Sequence, residues 1–166
     1  YVQESWAKET GLDFYRTIQM RRYGGDLEGV MQKVNYLQDL GINAVYFNPL
    51  NDAPSLHKYD ARNYHHIDVT FGDDRDGDLA LMKKEDPSKP ESWVWTSADK
   101  KFVELISQFH KAGIKVVLDF SWNHTGTQFW AFQDIIKNGA SSRFAGWYEI
   151  KTFDNAATPE NEWNYD

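Results

Sequence analysis

Asp119, Asn123 and His124 stand within six positions of one another, directly after the apolar run Val116-Val117-Leu118. An acid, an amide and an imidazole at the end of a buried segment are groups for accepting, donating and moving protons at a bound ligand. In α/β architectures the ligand-facing side lies at the carboxyl ends of parallel strands, where this run deposits them. Asp119 is the tempting catalyst, yet a single carboxylate serves equally well as part of a hydrogen-bonding frame. His124 reads locally as a satisfied, partly buried histidine or as a ligand-orienting group.

The elements that position these residues are visible as periodicities. Val116 and Val117 are β-branched, and the continuous apolar character predicts a strand buried on both faces. Before it, Thr96 or Ser97 caps a helix whose Phe102, Leu105, Ile106 and Phe109 share one face, and Ala112-Gly113 ends it. Upstream, Asp26 is an N-cap and Leu27, Val30, Met31, Val34 and Leu37 recur at helical spacing, predicting one helix from Leu27 to about Leu40. Gly41 stops that helix, and Ile42 to Phe47 is a strand closed by Asn48-Pro49. The device Leu40-Gly41-Ile42-Asn43-Ala44-Val45 is thus repeated as Ala112-Gly113-Ile114-Lys115-Val116-Val117. Alternating helices and apolar strands imply an α/β fold with a parallel sheet.

Between and around these units the chain is irregular. Residues 1–25 read as an aperiodic lead-in. Leu50 to Phe71 is a long loop leaving a strand end, the kind usually functional or mobile. Asp73 to Trp95 reads as an acidic surface excursion, and Asp74-Arg75-Asp76-Gly77-Asp78 as a solvated turn, since it lacks the bidentate Glu and flanking helices of a calcium loop. His57, His65 and His66 read as scattered loop histidines: there is no Cys and no helical His-x-x-x-His to complete a zinc set. Phe129 to Asn138 predicts a short helix stopped by Gly139, with Phe129, Trp130 and Phe132 in a small core, and Trp147 to Ile150 a strand.

A net charge of −7 argues against a general nucleic-acid surface. A neutral or weakly charged ligand fits better, and the seven Trp, nine Tyr and ten Phe supply rings for a core and for stacking. With no Cys there is no disulfide framework. No run of about 18 apolar residues marks a membrane span, so a soluble chain is expected, with nothing that sets its compartment or oligomeric state. The start at Tyr1 rather than Met and the end at Trp163-Asn164-Tyr165-Asp166 suggest a piece of something longer.

Several fragments occur together and in order: Gly24-Gly25-Asp26-Leu27-Glu28-Gly29-Val30, Leu40 to Pro49, His57-Lys58-Tyr59-Asp60, Ile67-Asp68-Val69-Thr70-Phe71-Gly72, and Asp119-Phe120-Ser121-Trp122-Asn123-His124. Their order resembles the α-amylase superfamily of glycoside hydrolases, closest to its neopullulanase and cyclomaltodextrinase branch. Two positions depart from the family pattern: Asn63-Tyr64, where Asp-Tyr is frequent, and Trp122, where a different apolar residue is frequent.

The resemblance implies a partial (β/α)8 TIM barrel with the start of an inserted irregular domain after the third strand. Residues 1–124 would form the amino-terminal portion of the catalytic barrel and 125–166 the beginning of the inserted domain; a whole barrel takes about 250 residues. It also implies that the parent protein is a retaining hydrolase or transglycosidase of α-glucosidic bonds in starch- or pullulan-like oligosaccharides. His124 would hydrogen-bond the sugar beside the cleaved bond, Tyr59 would stack on that sugar, Asp119 would organise the strand ends, and Asn123 would bind calcium or brace the inserted domain. No cofactor is needed for the chemistry. Retaining hydrolysis takes two carboxyl groups about 5–5.5 Å apart, and the resemblance puts the nucleophile and acid beyond Asp166, so the isolated chain is expected to be inactive. The alternative is a catalytically inactive amylase-like carbohydrate-binding module.

Overall fold

The structure is a computed structural model that describes residues 5–20, 23–155, 157–159 and 162–165. Its centre is a parallel pair of strands, β1 (Ala44–Phe47) and β2 (Lys115–Leu118), in register from Ala44 opposite Lys115 to Phe47 opposite Leu118. Each strand is launched by a glycine in the left-handed region, Gly41 (φ 82°) and Gly113 (φ 74°), which turns the chain out of the preceding helix without a Cβ penalty. The expected repeat of helix, glycine and strand is therefore present, and the two strands pair side by side and parallel.

Burial on both faces is not observed. Both strands alternate exposed and half-buried residues. Val45, Phe47, Val116 and Leu118 pack on the helices, whereas Tyr46 and Val117 are 60% and 46% exposed. Among the described residues nothing covers that second face, so an apolar run long enough for a doubly buried strand is here only half covered.

The helical layer is α3 (Leu27–Met31), α4 (Val34–Asp39) and α6 (Ser97–Lys111). Leu27, Val34, Phe102, Leu105, Phe109 and Ile114 form its buried core. Burying Phe102, Leu105 and Phe109 contributes roughly 1.5–3 kcal/mol apiece before the cost of ordering the chain. Asp26 caps α3 by accepting from the Gly29 amide at 2.8 Å. The single helix anticipated from Leu27 to Leu40 is two: the chain turns at Gln32-Lys33, while the apolar stripe runs on across the break. Thr96 caps α6 through a complete capping box with Asp99.

The lead-in contains two short helices, α1 (Ser5–Glu9) and α2 (Phe14–Met20), rather than irregular chain; its residues 1–4, 21 and 22 lie outside the described set. The acidic excursion is also ordered. Asp74 caps α5 (Arg75–Met82) by accepting from the Gly77 amide at 3.0 Å, and Asp78 is 2% exposed. Asp78 accepts from Ser97 N at 2.6 Å, Ser97 Oγ at 2.7 Å and Ala98 N at 3.2 Å, fastening α5 to the start of α6. The supposed solvated turn is thus a helix start whose last acid is buried against another helix start, where backbone N–H groups attract a carboxylate.

Beyond β2 a second buried cluster gathers Phe129, Ala131, Phe132 and Ile135, around α7 (Trp130–Asn138), with Phe144. Phe129 and Phe132 are core residues as expected, and Gly139 ends the helix at φ 55°. Trp147 belongs to a 3-10 turn, and the strand begins later as β3 (Ile150–Thr152), antiparallel to β4 (Asn164–Tyr165). Among the described residues no helix is long and apolar enough to cross a membrane.

Candidate functional site

The Asp119 amide donates to Phe47 O at 3.0 Å, extending the parallel ladder one residue past β2 and placing Asp119 beside the end of β1. Its carboxylate receives two phenols. Tyr59 Oη donates to Asp119 Oδ2 at 2.7 Å, and Tyr46, on the exposed face of β1, hydrogen-bonds the same carboxylate. Both phenols are held above their ordinary value, first by that hydrogen bond, because a phenolate could no longer donate and would face a like charge.

The loop that brings Tyr59 there is braced from within. Lys58 sits at φ 62°, a left-handed conformation costing a side-chain-bearing residue about 1–2 kcal/mol. Its buried ammonium pairs with the buried Asp68 carboxylate, which also accepts from Thr70 N at 3.0 Å and Thr70 Oγ1 at 2.6 Å. Burial alone would raise the Asp68 carboxyl, but Lys58 and Thr70 outweigh it and hold the group below its usual range. Next to this pair, Asp52 takes a two-pronged contact from Arg62 at 3.0 and 2.6 Å and an amide donor from Asn63 at 3.0 Å. Asn63 Oδ1 in turn accepts from His66 N at 3.1 Å, so Asn63 is a buried loop brace. Tyr59, thus anchored, stacks on His57 with ring centroids 5.7 Å apart.

His124 is exposed on the segment after Asp119. Its Nδ1 lies 3.0 Å from Asn123 Oδ1 and 3.2 Å from Ser121 Oγ. The Asn123 oxygen is an acceptor, which puts the proton on Nδ1 and leaves the Nε2 lone pair for a hydroxyl donor. Asn123 therefore braces the imidazole. The same Asn123 oxygen also accepts from Ser121 Oγ at 3.2 Å.

The backbone of this segment is set by Tyr64, the residue after Asn63. Tyr64 Oη lies 2.8 Å from Ser121 O and 2.7 Å from His124 O, so one phenol bridges both ends of the turn. Tyr64 also touches Trp122 (5.5 Å between ring centroids) and Phe129 (5.8 Å), joining the loop to the second core. His124 lines a cleft of about 520 Å³ with Tyr64, Trp122, Thr125, Trp147 and Tyr148. The indoles of Trp122 and Trp147 are 75% and 61% exposed there. Tyr59 and Asp119 are joined to each other rather than to the lining of this cleft. Asp119 instead borders a second cavity of about 390 Å³ with Phe120, His65, His66, Trp93 and Trp95.

Chemically, this end of the sheet offers exposed aromatic faces, an imidazole and phenol-bound carboxylate oxygens, a surface for neutral hydroxyl-rich molecules. Tyr46 and Tyr64 were missed from sequence; the signal available was Tyr46's place within the ordered fragment Leu40 to Pro49.

Comparison with known proteins agrees. The family model "Alpha amylase, catalytic domain" matches residues 3–86 and 97–165. The chain is 40% identical over 128 residues to a cyclomaltodextrinase of Thermoanaerobacter pseudethanolicus, covering 77% of this chain and 18% of that protein. It is 36% identical over 150 residues to neopullulanase 2 of Thermoactinomyces vulgaris, covering 90% and 20%. The chain thus spans about a fifth of these curated relatives. Among solved structures, cyclic α-maltosyl-(1→6)-maltose hydrolase from Arthrobacter globiformis superposes with a TM-score of 0.66 at 28% identity, over 88% of this chain and 28% of that one. That enzyme has also been solved in complex with cyclic α-maltosyl-(1→6)-maltose and with maltose. With its sequence matched almost end to end and its parallel strands carrying Asp119 and His124 at one edge, the chain belongs to the α-amylase catalytic-domain family.

Proposed function

We propose that the protein carrying this chain is a retaining hydrolase or transglycosidase of α-glucosidic bonds in starch- and pullulan-like oligosaccharides, and that this chain orients the sugar. The observation that carries the reading is the bond from Tyr59 to Asp119 at the carboxyl ends of two parallel strands in a chain of this family. Tyr59 presents its ring to the sugar face, His124 offers Nε2 to a hydroxyl, and Asp119 organises the strand ends by binding two phenols. A carboxylate already engaged by Tyr59 and Tyr46 is a poor nucleophile, which supports assigning nucleophile and acid to carboxylates outside this chain. The exposed rings of Trp122 and Trp147 suit the apolar faces of further glucose units.

In this reading residues 1–124 are the amino-terminal part of a (β/α)8 barrel, with β1 and β2 its second and third strands. Residues 125–166 begin the inserted domain, a view supported by their own buried cluster at Phe129, Phe132 and Phe144. Calcium is not needed for the chemistry, and Asn123 serves His124.

The test is His124→Ala in the full-length protein. One lost hydrogen bond to a polarised hydroxyl lowers kcat/KM for maltooligosaccharides by about 1.5–3 kcal/mol in activation free energy. Unchanged kinetics would overturn the role of His124. Oligosaccharide binding without any turnover by the unmodified protein would replace the enzymatic reading with that of an inactive carbohydrate-binding module.

A further inference from the structure

Away from the sugar-facing residues, two imidazoles and a carboxylate converge inside the fold. His65 Nε2 lies 2.9 Å from Glu85 Oε1, and His66 Nε2 lies 3.1 Å from both Glu85 oxygens. One ligand atom from each residue falls within 4.8 Å of the others. The side chains are 11%, 1% and 4% exposed for His65, His66 and Glu85.

Each donor is held from behind by a group outside the trio. Asp99 Oδ2 binds His66 Nδ1 at 2.7 Å and is itself fixed by the capping box of α6, so His66 Nε2 points at Glu85. His65 stacks flat on Trp93, with centroids 4.0 Å apart and planes 10° from parallel. Glu85 Oε2 accepts from Val94 N at 3.2 Å. We propose that His65 Nε2, His66 Nε2 and the Glu85 carboxylate form a three-ligand site for a zinc-class divalent cation, its fourth position open to water from the adjoining 390 Å³ cavity.

The donor set and spacing fit that ion. Two imidazoles and one carboxylate with a free position is a three-ligand zinc arrangement, and zinc–nitrogen bonds of about 2.0–2.1 Å at tetrahedral angles put neighbouring donors roughly 3.3 Å apart. The two imidazole-to-carboxylate distances, 2.9 and 3.1 Å, need only a small opening, and the two imidazole nitrogens lie within 4.8 Å of each other. A carboxylate behind a ligating imidazole is the usual outer partner of such sites and fixes its tautomer, the place Asp99 occupies here. Nitrogen donors also select zinc over calcium or magnesium, which prefer all-oxygen cages.

The experiment strips the protein of metal with a chelator and titrates it with Zn²⁺, and separately with Co²⁺, whose visible absorption reports tetrahedral nitrogen–oxygen ligation. The expected result is one ion per chain and a raised Tm, with no comparable rise from Ca²⁺ or Mg²⁺ at the same concentration. His65→Gln and Glu85→Gln should abolish stoichiometric uptake, Asp99→Asn should weaken it about 10–100-fold, and His110→Ala, an exposed histidine at the end of α6, should leave it intact. Far-UV circular dichroism in chelator establishes that each variant is folded. Uptake that survives in folded His65→Gln and Glu85→Gln, equal stabilisation by Ca²⁺, or no retained Zn²⁺ in the unmodified protein would overturn the site.

Discussion

Tyr59 Oη donates to Asp119 Oδ2 at 2.7 Å across sixty residues of chain, tying the tip of the loop after β1 to the end of β2. Because Asp119 is the leading cause of the raised phenols of Tyr59 and Tyr46, replacing it with Asn should bring both back toward the ordinary value of about 10. Alkaline titration of tyrosinate absorbance checks this, with Tyr59→Phe and Tyr46→Phe identifying the two transitions. Midpoints unmoved by Asp119→Asn would mean that the two phenols do not share that carboxylate in solution.

Tyr64→Phe keeps the ring packed on Trp122 and Phe129 but removes the hydroxyl that bridges Ser121 O and His124 O. A net loss of about 1 kcal/mol is expected for the hydrogen bonding, or roughly 2–4 °C in Tm for a chain of this size. His124 then rides on a looser turn, so under the sugar-orienting role proposed for it, KM of the full-length protein for maltooligosaccharides should rise more than kcat falls. An effect on Tm alone would separate Tyr64 from ligand positioning.

Lys58→Met leaves Asp68 buried without its cation, which costs about 3–5 kcal/mol. The pH dependence has a definite sign. The folded Asp68 carboxyl lies below its unfolded value, so its contribution is complete above pH about 4 and is lost as pH falls through the folded value. Without Lys58 that folded value rises, so the stability gap between the unmodified protein and Lys58→Met should narrow on acidification. Denaturant unfolding across the acid range measures the gap; one that stays constant would mean that the pair does not set the acid limb.

Features written in neighbouring residues were legible in the sequence. The Asp26 cap, the Gly41 and Gly113 stops, the α6 face and the parallel strand pair all follow from periodicity and punctuation over a dozen positions. What was hidden depends on partners far along the chain. Glu85 looks like one more acid in a polar stretch until His65 and His66, some twenty residues back, enclose it. Asp78 looks solvated until the start of α6, 19 residues on, supplies the donors. The break at Gln32-Lys33 was invisible because the apolar stripe passes through it unchanged. Val117 was read as buried because its neighbours are apolar, yet burial is decided by what packs on a face, and nothing among the described residues does.

Asp78→Ala tests the hidden acid directly. It strips Ser97 N, Ser97 Oγ and Ala98 N of one shared acceptor at the start of α6. Loss of a cap costs about 0.5–2 kcal/mol, and donors left unsatisfied under cover add about 1–3 kcal/mol. A lower denaturation midpoint is expected, with Asp78→Asn intermediate because its amide oxygen still accepts. If Asp76→Ala, removing an exposed carboxylate on the same helix, were equally damaging, general charge loss rather than capping would explain the result.

Gly126 is where the Tyr59 loop and the His124 segment touch backbone to backbone. Its amide donates to Ala61 O at 3.2 Å, and a Cβ there would stand 2.3 Å from Asp60 O and 2.6 Å from Asp60 C. Those are main-chain atoms of the residue after Tyr59, so no side-chain rotation relieves the clash and one strip of chain has to move. Gly126→Ala should therefore cost about 1–3 kcal/mol through overpacking and shift Tyr59 relative to His124, raising KM as well as lowering Tm. Gly146→Ala, with nothing within 4 Å of its added carbon, is the matched control and should leave both unchanged. Because Gly126 carries no side chain, a KM effect specific to Gly126→Ala would point to the spacing between the two segments as a determinant of binding. Equal behaviour of the two alanine variants would dismiss that spacing.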